Sequence, residues 1–143
     1  SVDSGVGIGG ISLIMPINGS INYGFHDPYY PFKDITEHNG IDIFAFQGTF
    51  VKAAADGTVS QVVDGGLTGY SYVTIEHSNG FKTVYGHLSE INVSVGDSVS
   101  VNDVIGRSGG MPGTPGAGST TTGPHLHFEV WYNGVVVDPE DYL

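Results

Sequence analysis

Apolar and polar positions alternate in short runs along this chain, and a period of two dominates its pattern. In His125-Leu126-His127-Phe128-Glu129-Val130-Trp131, Leu126, Phe128 and Val130 fall on one side of an extended strand, while His125 and His127 fall together on the other. Tyr72 to His77 and Phe81 to Tyr85 flank Asn79-Gly80, a dipeptide that accepts the positive φ of a tight turn, so the pattern predicts a hairpin there. A second hairpin is predicted from His125 to Tyr132, turning at Asn133-Gly134 into Val135, Val136 and Val137. Ile41 to Phe46 and Thr58 to Val63 supply further strands. No convincing run repeats apolar residues at three- and four-residue spacing, so helices are not expected. The predicted class is all-β: a mostly antiparallel sheet with a barrel-like core.

Two stretches lack strand character. Phe25 to Glu37 holds two prolines, His26, Asp27 and four aromatic residues, and Ser108 to Gly123 is rich in Gly, Ser, Thr and Pro. Long loops in a compact domain are commonly functional, and the second leads straight into the His125 strand. Both are expected to wall a substrate groove. Residues 1–12 read as the tail of a linker and residues 13–143 as a single domain, with no internal repeat.

Composition narrows the partners. The formal charge is −11, with Lys33, Lys52, Lys82 and Arg107 as the cations. Nucleic acid or anionic lipid needs a basic patch, which four scattered cations do not form. No apolar run approaches the roughly 20 residues of a membrane helix, and the chain opens with no signal-type segment. There is no cysteine, so any zinc must be held by nitrogen and oxygen.

Six histidines are the candidate chemistry. His38-Asn39-Gly40-Ile41-Asp42 reads as a turn bearing His38 that feeds a strand beginning near Asp42. A carboxylate facing a partly buried surface there requires a cation or several donors. By strand alternation His87 is expected on the face of Phe81, Thr83 and Tyr85, with Gly86 beside it permitting a close approach. His77, just before a turn tip, is expected to be solvated, and His26 lies in the aromatic loop. Three protein ligands with an open position make a catalytic zinc site, and His, Asp and His suit that metal. Two further histidines can move protons and stabilise an oxyanion. Period-two alternation does not rank His125 against His127.

The set His38-x-x-x-Asp42, Tyr85-Gly86-His87-Leu88 and His125-Leu126-His127 resembles the lysostaphin-type, LytM-like zinc endopeptidases, which cut peptide cross-links in bacterial peptidoglycan. The resemblance runs from about Met15 to Leu143. It includes Gly40-Ile41-Asp42-Ile43, Ala54-Ala55-Asp56-Gly57-Thr58-Val59, Gly96-Asp97-Ser98-Val99, Ile105-Gly106-Arg107-Ser108-Gly109 and Asp138-Pro139-Glu140-Asp141-Tyr142-Leu143. It implies His38, Asp42 and His127 as ligands of one catalytic Zn²⁺, and His87 and His125 as the non-ligand catalytic pair. It further implies peptidoglycan stem or cross-bridge peptides as substrate and an extracytoplasmic location; a monomer is expected. Phe25-His26-Asp27-Pro28-Tyr29-Tyr30 departs from relatives that carry a basic residue here, which bears on substrate contacts and leaves the metal site untouched.

Three rival readings remain. Gly96 to Gly106 also resembles the hammerhead turn of biotinyl and lipoyl carriers, but no lysine stands in the required hairpin context. A non-hydrolytic, zinc-holding or peptidoglycan-binding regulator would keep the fold without turnover. A D,D-carboxypeptidase would remove a terminal residue where an endopeptidase cuts a cross-link.

Overall fold

The computed structural model describes residues 10–143. Eleven strands carry the fold: β1 (Ser20–Tyr23), β2 (Ile41–Phe44), β3 (Phe50–Lys52), β4 (Gly57–Val63), β5 (Tyr72–Glu76), β6 (Phe81–Gly86), β7 (Leu88–Ile91), β8 (Ser98–Val99), β9 (Val104–Ser108), β10 (His125–Tyr132) and β11 (Val135–Val137). Among the described residues the helical elements are two three-residue 3₁₀ turns, Ser78–Gly80 and Pro139–Asp141. The large sheet runs β1-β2-β10-β6-β5-β4-β8, with β11 beside β10, and a smaller sheet runs β3-β9-β7. Every pairing is antiparallel. The all-β, mostly antiparallel class therefore holds. The sheets are open, ending on β1 and β8 in one and on β3 and β7 in the other, so there is no closed barrel. β8, only two residues long, blunts one edge against further pairing.

Alternation along β10 divides the large sheet into two chemically distinct faces. Leu126, Phe128 and Val130 are fully buried with Ile41, Ile43, Val73, Ile75, Phe81 and Tyr85. Val51, Leu88 and Ile105 of the smaller sheet join the same core. A buried side chain of this size contributes about 1.5–3 kcal/mol relative to exposure, which fixes the register; a slip by one residue would turn the histidines into the core. Both expected hairpins form, around the Ser78–Gly80 turn and Asn133-Gly134. Of residues 1–12, those from 1 to 9 lie outside the described residues. Ile11 packs in the core, and the Leu13 N–H donates to the Tyr142 carbonyl at 3.0 Å.

Candidate active site

Strand register builds the centre. On the outer face of β10, His127 sits directly opposite Asp42 of β2 on one side and Gly86 of β6 on the other. His125 stands opposite Phe44, two residues along. The loop before β2 delivers His38, whose Nε2 lies 2.9 Å from Asp42 Oδ1. His127 Nδ1 is 3.0 Å from the same oxygen and His125 Nε2 is 3.6 Å from it. One donor atom from each of His38, Asp42 and His127 falls within 4.8 Å of the other two.

His87 arrives by a route that alternation does not give. It lies between β6 and β7 with φ 62°, in the left-handed region that few non-glycine residues enter. Phe81, Thr83 and Tyr85 point into the core and are fully buried, so the expectation that His87 shares their face is corrected. The positive φ swings its ring onto the outer face, with the His125 ring centroid 4.5 Å away and that of His127 at 6.1 Å. The structure thus brings together His38, Asp42, His87, His125 and His127.

His26 and His77 lie elsewhere. His26 stacks on Phe25 and faces Glu37 at 3.4 Å. His77 is half-buried rather than solvated, which corrects the expectation from its turn-tip position. Its Nδ1 donates to the Asp56 carbonyl at 2.7 Å and its Nε2 meets Thr83 Oγ1 at 2.7 Å. Thr83 Oγ1 in turn lies 2.6 Å from Tyr85 Oη, which accepts the Ala54 N–H at 3.0 Å.

The far side of each site imidazole decides what faces the centre. His38 Nδ1 lies 2.7 Å from the Gly24 carbonyl, His87 Nδ1 2.7 Å from Ala117, and His125 Nδ1 2.7 Å from Gly123. His127 Nε2 lies 2.8 Å from Glu129 Oε2. Carbonyls and carboxylates only accept, so each of these nitrogens carries the proton. In the neutral rings the other nitrogen then presents a lone pair inward. Lone pairs of His38 and His127 converge with a carboxylate oxygen, an arrangement that is repulsive unless a positive charge lies among them. This donor set fits a divalent metal and matches the second-contact pattern that fixes metal-binding histidines.

Electrostatics point the same way. Burial opposes charge on Asp42, but hydrogen bonds from His127 and His38 outweigh it and hold the carboxyl well below the usual range. Burial likewise opposes charge on His127, while hydrogen bonds to Asp42 and Glu129 hold its pKa up to about 9. Burial, reinforced by His125 and His127, pushes His87 down to about 3 and keeps it neutral.

A cleft of about 160 Å³ opens over this centre, lined by Tyr30, Tyr70, His87, Thr120, His127 and Glu129. Tyr30 stacks on His38 with ring centroids 4.2 Å apart, and Tyr70 meets the His87 ring edge-on at 4.8 Å. Burial first, and then Asp42, raises the Tyr30 phenol to about 12. Burial first, and then Glu129, raises that of Tyr70 well above its usual value. Both remain neutral O–H groups. The two long loops wall the cleft as expected, with Tyr30 from one and Thr120 from the other. Tyr70 and Glu129 were missed by sequence reasoning. Glu129 was within reach of it, since the alternation that pairs His125 with His127 extends to 129; Tyr70 carried no signal.

Comparisons with known proteins place this geometry. The model of Peptidase family M23 matches residues 36–139, well over half of the chain, and the chain belongs to that family. It is 41% identical over 103 residues to the DD-carboxypeptidase/endopeptidase Mpg of Neisseria meningitidis, covering 71% of this chain and 22% of that protein. It is 38% identical over 105 residues to the peptidoglycan DD-endopeptidase ShyC of Vibrio cholerae, covering 73% of this chain and 22% of the relative. The chain spans 21–27% of the length of the first curated relatives it matches. Among solved structures, the antimicrobial peptidase lysostaphin of Staphylococcus simulans superposes with TM-score 0.70 at 32% identity, over 88% of this chain and 49% of that one. A zinc-containing peptidase from Vibrio cholerae gives 0.72 at 33%, over 86% and 37%. The SpoIIQ–SpoIIIAH pore-forming complex gives 0.74 at 27%, over 93% and 91%. The resemblance to the lysostaphin-type peptidases is thereby upheld.

Proposed function

We propose that this chain is a zinc-dependent endopeptidase that hydrolyses peptide cross-links of bacterial peptidoglycan, working outside the cytoplasm. The observation that carries this reading is the convergence of His38 Nε2 and His127 Nδ1 on one buried carboxylate oxygen, with the far nitrogen of each ring held from behind. His38 through Nε2, Asp42 through Oδ1 and His127 through Nδ1 would hold the ion. A bound Zn²⁺ supplies Lewis-acid polarisation of the scissile carbonyl and lowers the pKa of water.

The remaining steps belong to the chain's own side chains. His87 and His125 are the residues left to move protons, each with its Nε2 lone pair turned inward. One of these nitrogens takes a proton from the attacking water as the oxygen–carbon bond forms. The resulting imidazolium N–H then donates to the leaving nitrogen as the carbon–nitrogen bond breaks, giving a free amine and a carboxylate. The neutral phenols of Tyr30 and Tyr70 line the cleft as O–H donors where negative charge develops on the carbonyl oxygen, and the other imidazole donates there when it is protonated at Nε2. Burial of the centre strengthens each of these contacts.

A second reading, a regulator that keeps the fold without hydrolysis, is favoured by the similarity to SpoIIQ, whose solved form is a complex with a protein partner. Incubating purified muropeptides with the zinc-loaded protein and resolving the products by mass spectrometry separates the readings. Cross-linked dimers converting to monomers supports the endopeptidase. Loss of a terminal residue alone identifies a carboxypeptidase, and unchanged muropeptides favour the regulator.

A further inference from the structure

Four imidazoles are anchored from behind in this centre, three by backbone carbonyls and one by a charge. The exception is His127, whose Nε2–H donates to Glu129 Oε2 at 2.8 Å. The other oxygen of that carboxylate accepts the Trp131 indole N–H at 2.8 Å. The three side chains occupy alternate positions of β10 and so share its outer face. They form a directed chain, Trp131 Nε1–H to Glu129 to His127, whose last atom is the Nδ1 that faces Asp42 at 3.0 Å.

We propose that Glu129 is a positioning residue for the metal site, that it acts through His127, and that Trp131 holds it in place. The inference rests on the reading of His127 as a ligand. The chemistry of Glu129 supports it in two ways. Its carboxylate is largely enclosed, with the side chain 19% exposed, and its ion-pair partner is His127. A carboxylate in such a place is costly without a counter-charge, and its closest route to one runs through the imidazole to the centre. The charges also balance. With neutral rings, Asp42 and Glu129 together bring two negative charges, which a divalent ion cancels. A carboxylate behind an imidazole fixes the ring's orientation and raises its basicity as a donor. A carbonyl in the same place, as behind His38, fixes orientation and supplies no net charge.

Chelator-competition titration of zinc into the wild type, Glu129→Gln, Trp131→Phe and His127→Ala tests the chain. Glu129→Gln preserves shape and removes the charge, and its new amide N–H₂ cannot face both existing donors as an acceptor. It is expected to weaken zinc about 10- to 100-fold. Trp131→Phe is expected to weaken zinc in the same direction by less. The double variant should be no weaker than Glu129→Gln alone, as for residues acting in series. Zinc affinity of Glu129→Gln equal to wild type, with His127→Ala abolishing binding, overturns the positioning role while the ligand reading stands. Full zinc affinity in His127→Ala overturns the ligand reading itself. Melting temperatures of the metal-free variants accompany the titration. A deficit in Glu129→Gln confined to unfolded material, with normal zinc affinity in the folded fraction, also overturns the proposal.

Discussion

The phenol of Tyr70 lies over Gly86, filling the space that a side chain at position 86 would occupy; a Cβ there would overlap the Tyr70 hydroxyl. Gly86 stands opposite His127 in the sheet and immediately precedes His87, so this contact braces the aromatic wall against the strand end from which His87 turns toward the centre. Gly86→Ala must displace Tyr70. The expected cost is about 1–3 kcal/mol of stability from overpacking, with turnover reduced at least tenfold while bound zinc is retained. Thermal unfolding, muropeptide turnover and metal content, measured together, check this; unchanged turnover would remove Tyr70 from the working site.

The five site residues divide into two groups by what their loss removes. His38→Ala, Asp42→Ala and His127→Ala are each expected to lose zinc along with activity. His87→Ala and His125→Ala are expected to keep zinc and lose turnover by factors of about 10² to 10³. Metal analysis after desalting separates the groups, and retention of zinc by Asp42→Ala would refute the ligand set.

On the proposed reading, zinc removal should cost stability, because a ligand of the assembled site favours the folded chain. Free zinc at a hundred times its dissociation constant adds about 2.7 kcal/mol to folding stability. The expected result is a melting temperature that rises with zinc in the wild type and in His87→Ala, and does not respond in Asp42→Ala. Differential scanning calorimetry with and without chelator measures it.

His77 predicts a pH effect remote from the site. Its Nδ1–H donates to the Asp56 carbonyl, so its Nε2 accepts from Thr83, Thr83 accepts from Tyr85, and the Tyr85 oxygen accepts the Ala54 N–H. Burial lowers the His77 pKa in the folded state, and protonation would set two donors against each other at Thr83. Below about 6.5 the unfolded chain takes up a proton that the folded chain resists, so this group's contribution shrinks as pH falls through that value toward the lowered one. His77→Ala is expected to leave zinc binding intact and to cost about 1–3 kcal/mol near neutral pH, by orphaning buried partners. Urea unfolding at pH 7.5 and pH 5 should show the wild type's advantage narrowing at the acid end; a constant gap would contradict it.

Much of this architecture was legible because β10 alternates clearly, Asn79-Gly80 marks the turn between β5 and β6, and the burial of Leu126, Phe128 and Val130 leaves one register. The short strands β1, β3, β7, β8 and β9 were not read, since two to five residues carry too little period to stand out from turns. His87 defeated the same rule, because its left-handed backbone reverses a side chain with no mark in the residue types. Tyr70 reaches the cleft by an isolated bridge to Ala117, a long-range pairing that no local pattern encodes. The half-buried setting of His77 arises the same way, from the Asp56 carbonyl that precedes β4.

Gly24, Ala117 and Gly123 sit in the segments that border the cleft, and their carbonyls orient His38, His87 and His125. Diversity in these borders is therefore not free. Any insertion that reshapes them must return three oxygens to the same spots, or the protonation pattern of the centre scrambles. New selectivity on this scaffold is best sought at residues between those anchors, such as Thr120 and Thr122, whereas Thr121 holds the Gly123 carbonyl through its hydroxyl at 3.0 Å.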